Sequence, residues 1–209
     1  MALLIERGPV TTVTLNRPEV RNAFNEELIA DLSAFARSVP DDGSVRAVVL
    51  AGAGPVFCAG ADLQWMSKMM AYSQEQNLVD ARAAALMFHL LDSLPVPLIG
   101  RVQGAALGGG AGLSAVCDVV VSADDAVFGF TEVRLGILPA MISPYVVRKI
   151  GLSAARDWCL SGERFPAATA KTMGLVHAVV SADELDAAVD GYVQRFLKAA
   201  PSAVRRTKA

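Results

Sequence analysis

Two short glycine-containing turns hold the residues of this chain whose types and spacing best suit chemistry. One is Phe57-Cys-Ala-Gly-Ala-Asp-Leu63, the other Gln103-Gly-Ala-Ala-Leu-Gly-Gly-Gly110, and each follows an apolar run that reads as a buried strand. Small residues let a ligand approach the backbone, and the second turn feeds a helix whose first N–H groups have no intrahelical partner. Two backbone donors from separate turns would make an oxyanion hole. The same glycines serve equally well to pack strand tightly on helix, and the residue types alone leave both readings open.

Other chemistries find less support. Gly110-Ala-Gly112-Leu-Ser-Ala115 fits G-x-G-x-x-A after a strand. The next strand begins at Val119, however, whereas a dinucleotide-binding βαβ unit needs roughly 30 residues. No lysine follows the glycines, which excludes a phosphate-binding P-loop. The runs from Gly112 and from Gly151 both miss the last glycine of a nucleophile elbow. His89 and His177, the only histidines, have no ligand-spaced partners, so a Ser-His-Asp triad and a metal site are not expected and both read as structural. Trp65 with Met66, Met69 and Met70 reads as packing for a mobile lid.

The length of 209 residues suits one domain with a core large enough to need no disulfide or metal staple. Nineteen Lys plus Arg against 21 Asp plus Glu give a net charge of -2, which argues against a nucleic-acid partner. The short basic runs Arg148-Lys149 and Arg205-Arg206-x-Lys208 read as solvated faces. Hydrophobic residues at 53% exclude general disorder. Cys58, Cys117 and Cys159 are scattered and read as reduced thiols in a cytoplasmic protein. No signal peptide is expected at the N-terminus. The longest uncharged stretch, Val102 to Cys117, falls short of the ~20 residues of a membrane span.

The elements that must position the turns follow from periodicity. Leu3–Glu6 and Val10–Leu15 read as a hairpin around Gly8-Pro9, and Asn25 caps a helix running to Val39. Arg46–Leu50, Leu98–Val102 and Val119–Val121 read as strands, with a helix over 76–91 ended by Pro95 and Pro97. Beyond residue 140 helices are expected to dominate, one of them opened by a capping box at Ser181-x-x-Glu184. Strands alternating with helices mean an α/β fold with a mainly parallel sheet.

Several motifs in series carry a resemblance to a known family. Thr14-Leu-Asn-Arg-Pro18 with Asn22-Ala23, Cys58-Ala-Gly-Ala-Asp-Leu63, Val102-Gln-Gly-Ala-Ala-Leu-Gly-Gly-Gly110, Ala115-Val-Cys-Asp118, Phe128-Gly-Phe-Thr-Glu-Val-Arg-Leu-Gly-Ile-Leu-Pro139 and Ala170–Val179 lie in the order found in the enoyl-CoA hydratase/isomerase (crotonase) superfamily. Within it, Gly60–Met66 and Phe130–Tyr145 look most like bacterial methylglutaconyl-CoA hydratases of leucine breakdown. The resemblance implies a crotonase-like spiral of repeated strand–strand–helix units over residues 1–140. A helical region over 141–209 would follow, shortened relative to the family, whose further helices close the acyl pocket and support trimers. It implies a lyase adding water to a 2-enoyl-CoA thioester such as methylglutaconyl-CoA, no cofactor beyond the CoA of the substrate, no metal, and a homotrimer or dimer of trimers.

By motif position, the oxyanion donors fall on the N–H groups of Ala61 and Gly109, and the acid–base group on Glu132. The substrate-binding positions are Ala23 near the adenosyl end, Ala59, Asp62, Leu63 and Gln64 on the CoA-side loop, and Gly108 and Gly112. Without the resemblance, Glu132 would read as a surface carboxylate paired with Arg134; Asp62 and Asp118 read as bonded to backbone N–H groups of the turns. The position of the family's first catalytic glutamate is Gly112 here, so Glu132 stands alone, and Ala140-Met-Ile-Ser-Pro144 replaces a glycine-rich segment. A Δ3-Δ2-enoyl-CoA isomerase, which needs one base, and a non-catalytic acyl-CoA binder are the rival readings.

Overall fold

The computed structural model describes all 209 residues. The chain opens with the expected hairpin, β1 (Leu3–Glu6) against β2 (Val10–Leu15), where alternate side chains of β2 are buried. Helix α1 (Glu26–Ser38) follows, its cap Asn25 accepting the Leu28 N–H at 3.0 Å as the sequence predicts. β3 (Ala47–Gly52) is buried along its whole length, as befits a parallel strand covered on both faces. Next come α2 (Leu63–Met69), α3 (Gln74–Asp92), β4 (Leu98–Val102), β5 (Ala105–Leu107), α4 (Gly109–Val116), β6 (Val119–Ala123) and β7 (Val127–Gly129). α5 (Ser143–Ser161), β8 (Arg164–Pro166), α6 (Ala167–Thr172), β9 (Ala178–Val180), α7 (Leu185–Leu197) and α8 (Pro201–Lys208) complete the chain.

Two sheets organise these elements. The larger runs β1-β2-β3-β4-β6-β9 and is parallel from β2 onward; the smaller runs β5-β7-β8. β4 and β6 lie in the first sheet and their successors β5 and β7 in the second, so the chain climbs as a spiral with one strand of each pair in each sheet. The large sheet has two apolar faces. Val48, Leu50, Leu98 and Val120 point into the main core with α1, α3 and α4, while Val49, Ile99, Val119 and Val121 meet Leu185, Val189 and Val193 of α7.

Helices dominate residues 141–209, with two three-residue strands among them: β8 closes the small sheet and β9 extends the large one beside β6. Two expectations need correction. The helix expected over 76–91 starts at Gln74, because Ser73 and Gln76 form a reciprocal capping box. At Ser181 there is no such box; its hydroxyl donates to the Glu184 carboxylate at 2.7 Å, and a short 3-10 turn precedes α7.

The loop before α1 is fixed by a buried asparagine. Asn22 is fully buried at φ 55, a left-handed conformation that asparagine tolerates better than most residues. Its side-chain oxygen accepts the Arg17 N–H at 2.9 Å, and its amide donates to Ala53 O at 2.9 Å and Val56 O at 2.7 Å. Asn22→Ala leaves three backbone groups without these partners, so urea denaturation should show a loss of about 3 kcal/mol.

Candidate active site

The two glycine turns lie side by side because their backbones bond directly. Cys58 N–H donates to Ala105 O at 3.0 Å and Leu107 N–H to Cys58 O at 3.0 Å, a parallel bridge between Cys58 and Ala106. The 58–62 turn is also held from its other edge, where Phe24 N–H donates to Gly60 O at 2.7 Å and Asp62 N–H to Phe24 O at 2.8 Å. In such a bridge the intervening residue directs its own N–H away from its partner. Ala61 is that residue, and its N–H has no hydrogen-bond partner. Gly109 is the first residue of α4, where the N–H has no acceptor four residues back, and it too finds none in the adjoining turns.

This approach requires glycine. Gly60 sits at φ 95, and a Cβ there would lie 2.9 Å from Leu107 O. At Gly110 the corresponding distance is 2.3 Å, to Cys58 O. The packing role of the glycines and their role in exposing N–H groups therefore coincide.

Glu132 faces the second turn. It starts a 3-10 turn (Glu132–Leu135) after β7, and its Oε1 lies 3.5 Å from where a Cβ on Gly108 would stand. Its Oε2 is buried without any hydrogen-bond partner. Burial raises its pKa above the usual glutamate value, only partly offset by its own backbone N–H. No ion pair to Arg134 forms, so the surface reading of this carboxylate is wrong. Its charge, after burial, helps push the thiol of Cys159 on α5 up to about 11.

Both turns and Glu132 line one open cavity of about 1170 Å³. Ala23, Ala59, Ala61, Asp62, Leu63, Gln64, Gly108 and Gly109 all belong to its wall. Asp62 is there as a brace: its carboxylate caps α2 through Gln64 N–H at 2.9 Å and meets Arg17 at 2.8 Å, while Arg17 also donates to Ala23 O. Burial would raise the Asp62 pKa, but the Arg17 bond, the Gln64 N–H and the Arg17 charge together hold it below the usual range. Cys58 behind the turn is neutral, burial pushing its thiol up to about 12, and is no nucleophile.

Gly112 does not line the cavity. It lies inside α4, where a Cβ would fall 2.3 Å from Ile142 Cγ2 and 3.1 Å from the Phe88 ring. The space a side chain would occupy is taken by Ile142, and Glu132 has no carboxylate opposite it from this position. The structure thus removes Gly112 from the substrate-contacting set and gives its absence of a side chain a packing reason. Ile142, Met87 and Phe88, which line the cavity themselves, escape a sequence reading because α3 and the residue that precedes α5 bring them there from distant segments. Asp118 is structural, accepting Leu98 N–H and pairing with Lys208 at 2.7 Å. So is His177, whose Nδ1 accepts Val120 N–H at 3.1 Å.

The chain can now be set against known proteins. Residues 6–209 match the family model described as enoyl-CoA hydratase/isomerase. The chain belongs to that family. A putative enoyl-CoA hydratase of Thermus thermophilus is 36% identical over 98% of this chain and 81% of its own length. The structure superposes on Pseudomonas aeruginosa AtuE with a TM-score of 0.97 at 41% identity, covering 100% of this chain and 81% of that one. A putative enoyl-CoA hydratase from Thermobifida fusca, solved in complex with CoA, gives a TM-score of 0.90 at 30% identity over 99% of this chain and 82% of that one. The crotonase-like spiral and membership of an enzyme family follow. No cluster of three or more His, Cys, Asp or Glu is placed to hold a metal, and no helix is long and apolar enough to cross a membrane.

The buried carboxyl of Glu132 has a measurable thermodynamic consequence. A carboxyl whose pKa is raised on folding makes the native state bind its proton more tightly than the unfolded chain does. Stability is then lost as pH rises from the ordinary value of 4.5 through the raised one. Glu132→Gln lacks that loss, so its stability relative to the unaltered protein should be more favourable at pH 7 than at pH 4. Urea midpoints at the two pH values test this; an equal difference at both would mean that Glu132 is solvated.

Proposed function

We propose that the protein adds water across the double bond of a 2-enoyl-CoA thioester, with Glu132 as its single acid–base group. The observation that carries this reading is the largely buried Glu132 carboxyl with its Oε1 against Gly108, the residue before the free N–H of Gly109, in the same cavity wall. The hydratase names of the relatives and the CoA bound to the Thermobifida neighbour support it.

The thioester carbonyl oxygen would accept the N–H groups of Ala61 and Gly109. As a water oxygen bonds to Cβ, its proton passes to the Glu132 carboxylate and the π electrons move onto the thioester as an enolate. The two donors hold that negative charge, which fixed dipoles stabilise by several kcal/mol. Glu132 then returns the proton to Cα, and the product contains one added water. A carboxyl with a raised pKa is suited to both transfers near neutral pH. The motif from Phe130 to Tyr145 favours a branched, carboxylated acyl group such as methylglutaconyl.

A second reading rests on Ile142. With Gly112 covered, one carboxyl faces the thioester, and one base suffices to move a double bond from C3 to C2 by taking a proton and returning it. Methylglutaconyl-CoA, crotonyl-CoA and a 3-enoyl-CoA distinguish the two. Hydration gives products heavier by one water, and Glu132→Gln should slow it about a thousandfold. Migration of the 3-enoyl bond with no gain of water would instead establish the isomerase, and full hydration by the glutamine variant would overturn the role of Glu132.

A further inference from the structure

A water that adds to a double bond needs holding as well as deprotonating, and Glu132 has no carboxylate opposite it to share that task. The polar side chains of the cavity wall leave one candidate. Asp62 is committed to Arg17 and the Gln64 N–H, and Trp65 Nε1 is sealed off. Glu19, Arg21, Gln64, Arg134, Glu163 and Arg164 are exposed. Besides Glu132, Thr131 alone is a polar lining residue that is neither exposed nor engaged.

Thr131 caps the 3-10 turn by position only, since its hydroxyl accepts no N–H of that turn. A β-branched side chain has few χ1 choices, and here the methyl packs on β7: Cγ2 lies 3.2 Å from where a Cβ on Gly129 would stand. The hydroxyl is turned to Gly108, its Oγ1 3.7 Å from the Cβ position of that glycine, where Glu132 Oε1 lies at 3.5 Å. Gly108 N–H donates to Gly129 O at 2.8 Å and keeps the glycine beside both side chains. Without a side chain, Gly108 leaves a gap before the two oxygens, in which a Cβ would meet no other segment of the chain closer than 3.5 Å. Of the Glu132 oxygens, Oε2 is sealed off, so Oε1 is the one that can reach a molecule in this gap. The next residue is Gly109, whose free N–H would hold the thioester oxygen.

On the basis of the proposed hydration, we infer that Thr131 holds the attacking water: a water in the gap beside Gly108 donates one O–H to Thr131 Oγ1 and the other to Glu132 Oε1. Both donors of the water are then spent, and a lone pair is left for the Cβ of the enoyl chain. As the new C–O bond forms, the O–H bond facing Glu132 breaks and its proton goes to the carboxylate. The O–H facing Thr131 stays intact and becomes the hydroxyl of the product. Thr131 itself exchanges no proton; it fixes the position and direction of the nucleophile. Its role belongs to water addition and not to proton transfer at Cα, which needs only Glu132 and the two N–H groups.

Two variants separate the halves of this side chain. Thr131→Val keeps the methyl packing and removes the hydroxyl, whereas Thr131→Ser does the reverse. With crotonyl-CoA, Thr131→Val should lose about tenfold in the kcat of hydration with KM nearly unchanged, as expected for one missing hydrogen bond. Thr131→Ser should hydrate at close to the unaltered rate. Exchange of the C2 protons of a 3-enoyl-CoA with D2O uses Glu132 and the two N–H groups but no attacking water, and it should survive in Thr131→Val. A valine variant that hydrates normally, a serine variant as slow as the valine one, or equal loss of hydration and exchange would each overturn the inference. If instead the unaltered protein exchanges C2 protons but adds no water to any enoyl-CoA, the hydration reading has failed and the water site falls with it.

Discussion

The direct backbone bonding of three separated segments is the constraint on which the rest of this structure depends. Phe24, the 58–62 turn and the 105–107 strand form two consecutive parallel bridges; the first leaves the Ala61 N–H free, and the second sets the turn beside the start of α4, where the Gly109 N–H is free. Asn22 and the Arg17–Asp62 pair brace the first segment, and Gly60 and Gly110 permit the close approach of the other two. Each device is structural when considered alone. Together they present two donors on a frame that cannot relax to satisfy itself.

Such a frame carries local costs that a protein built only for stability would avoid. Two N–H groups, a carboxyl oxygen and an indole donor are left unpaired around one cavity, and Glu132 is held where burial disfavours its charge. Unmet polar groups concentrated at one place, in a molecule that satisfies the remainder, are what pre-organised sites require. The replacement of a side chain at position 112 by Ile142 and Phe88 follows the opposite logic, since that space is given wholly to packing.

Much of this was legible in the residues, but unevenly. Asn25 announces α1 because an asparagine before an amphipathic run has a definite job, and the hairpin follows from strict alternation in Val10–Leu15. The three-residue strands β5, β7, β8 and β9 offer too few positions for any period, and their pairing is decided by partners far along the chain. Ser181-x-x-Glu184 has the letters of a capping box, yet its two side chains bond each other. Glu132 could be located by its motif, whereas its burial could not, because the covering segments include α5 with Cys159. Trp65 read as part of a mobile lid and proved to be buried in the main core, since the short run Trp65-Met-Ser-Lys-Met-Met70 does not reveal which side faces inward.

The central claim is that the Ala61 and Gly109 N–H groups act together on a thioester carbonyl. Isotope-edited infrared spectroscopy of a bound saturated acyl-CoA, labelled with 13C at the thioester carbon, reads that interaction directly. Two hydrogen bonds from a fixed frame should move the carbonyl stretch to clearly lower frequency than in free solution, with a narrowed band. A bound thioester whose carbonyl band stays at its solution position and width would contradict the account.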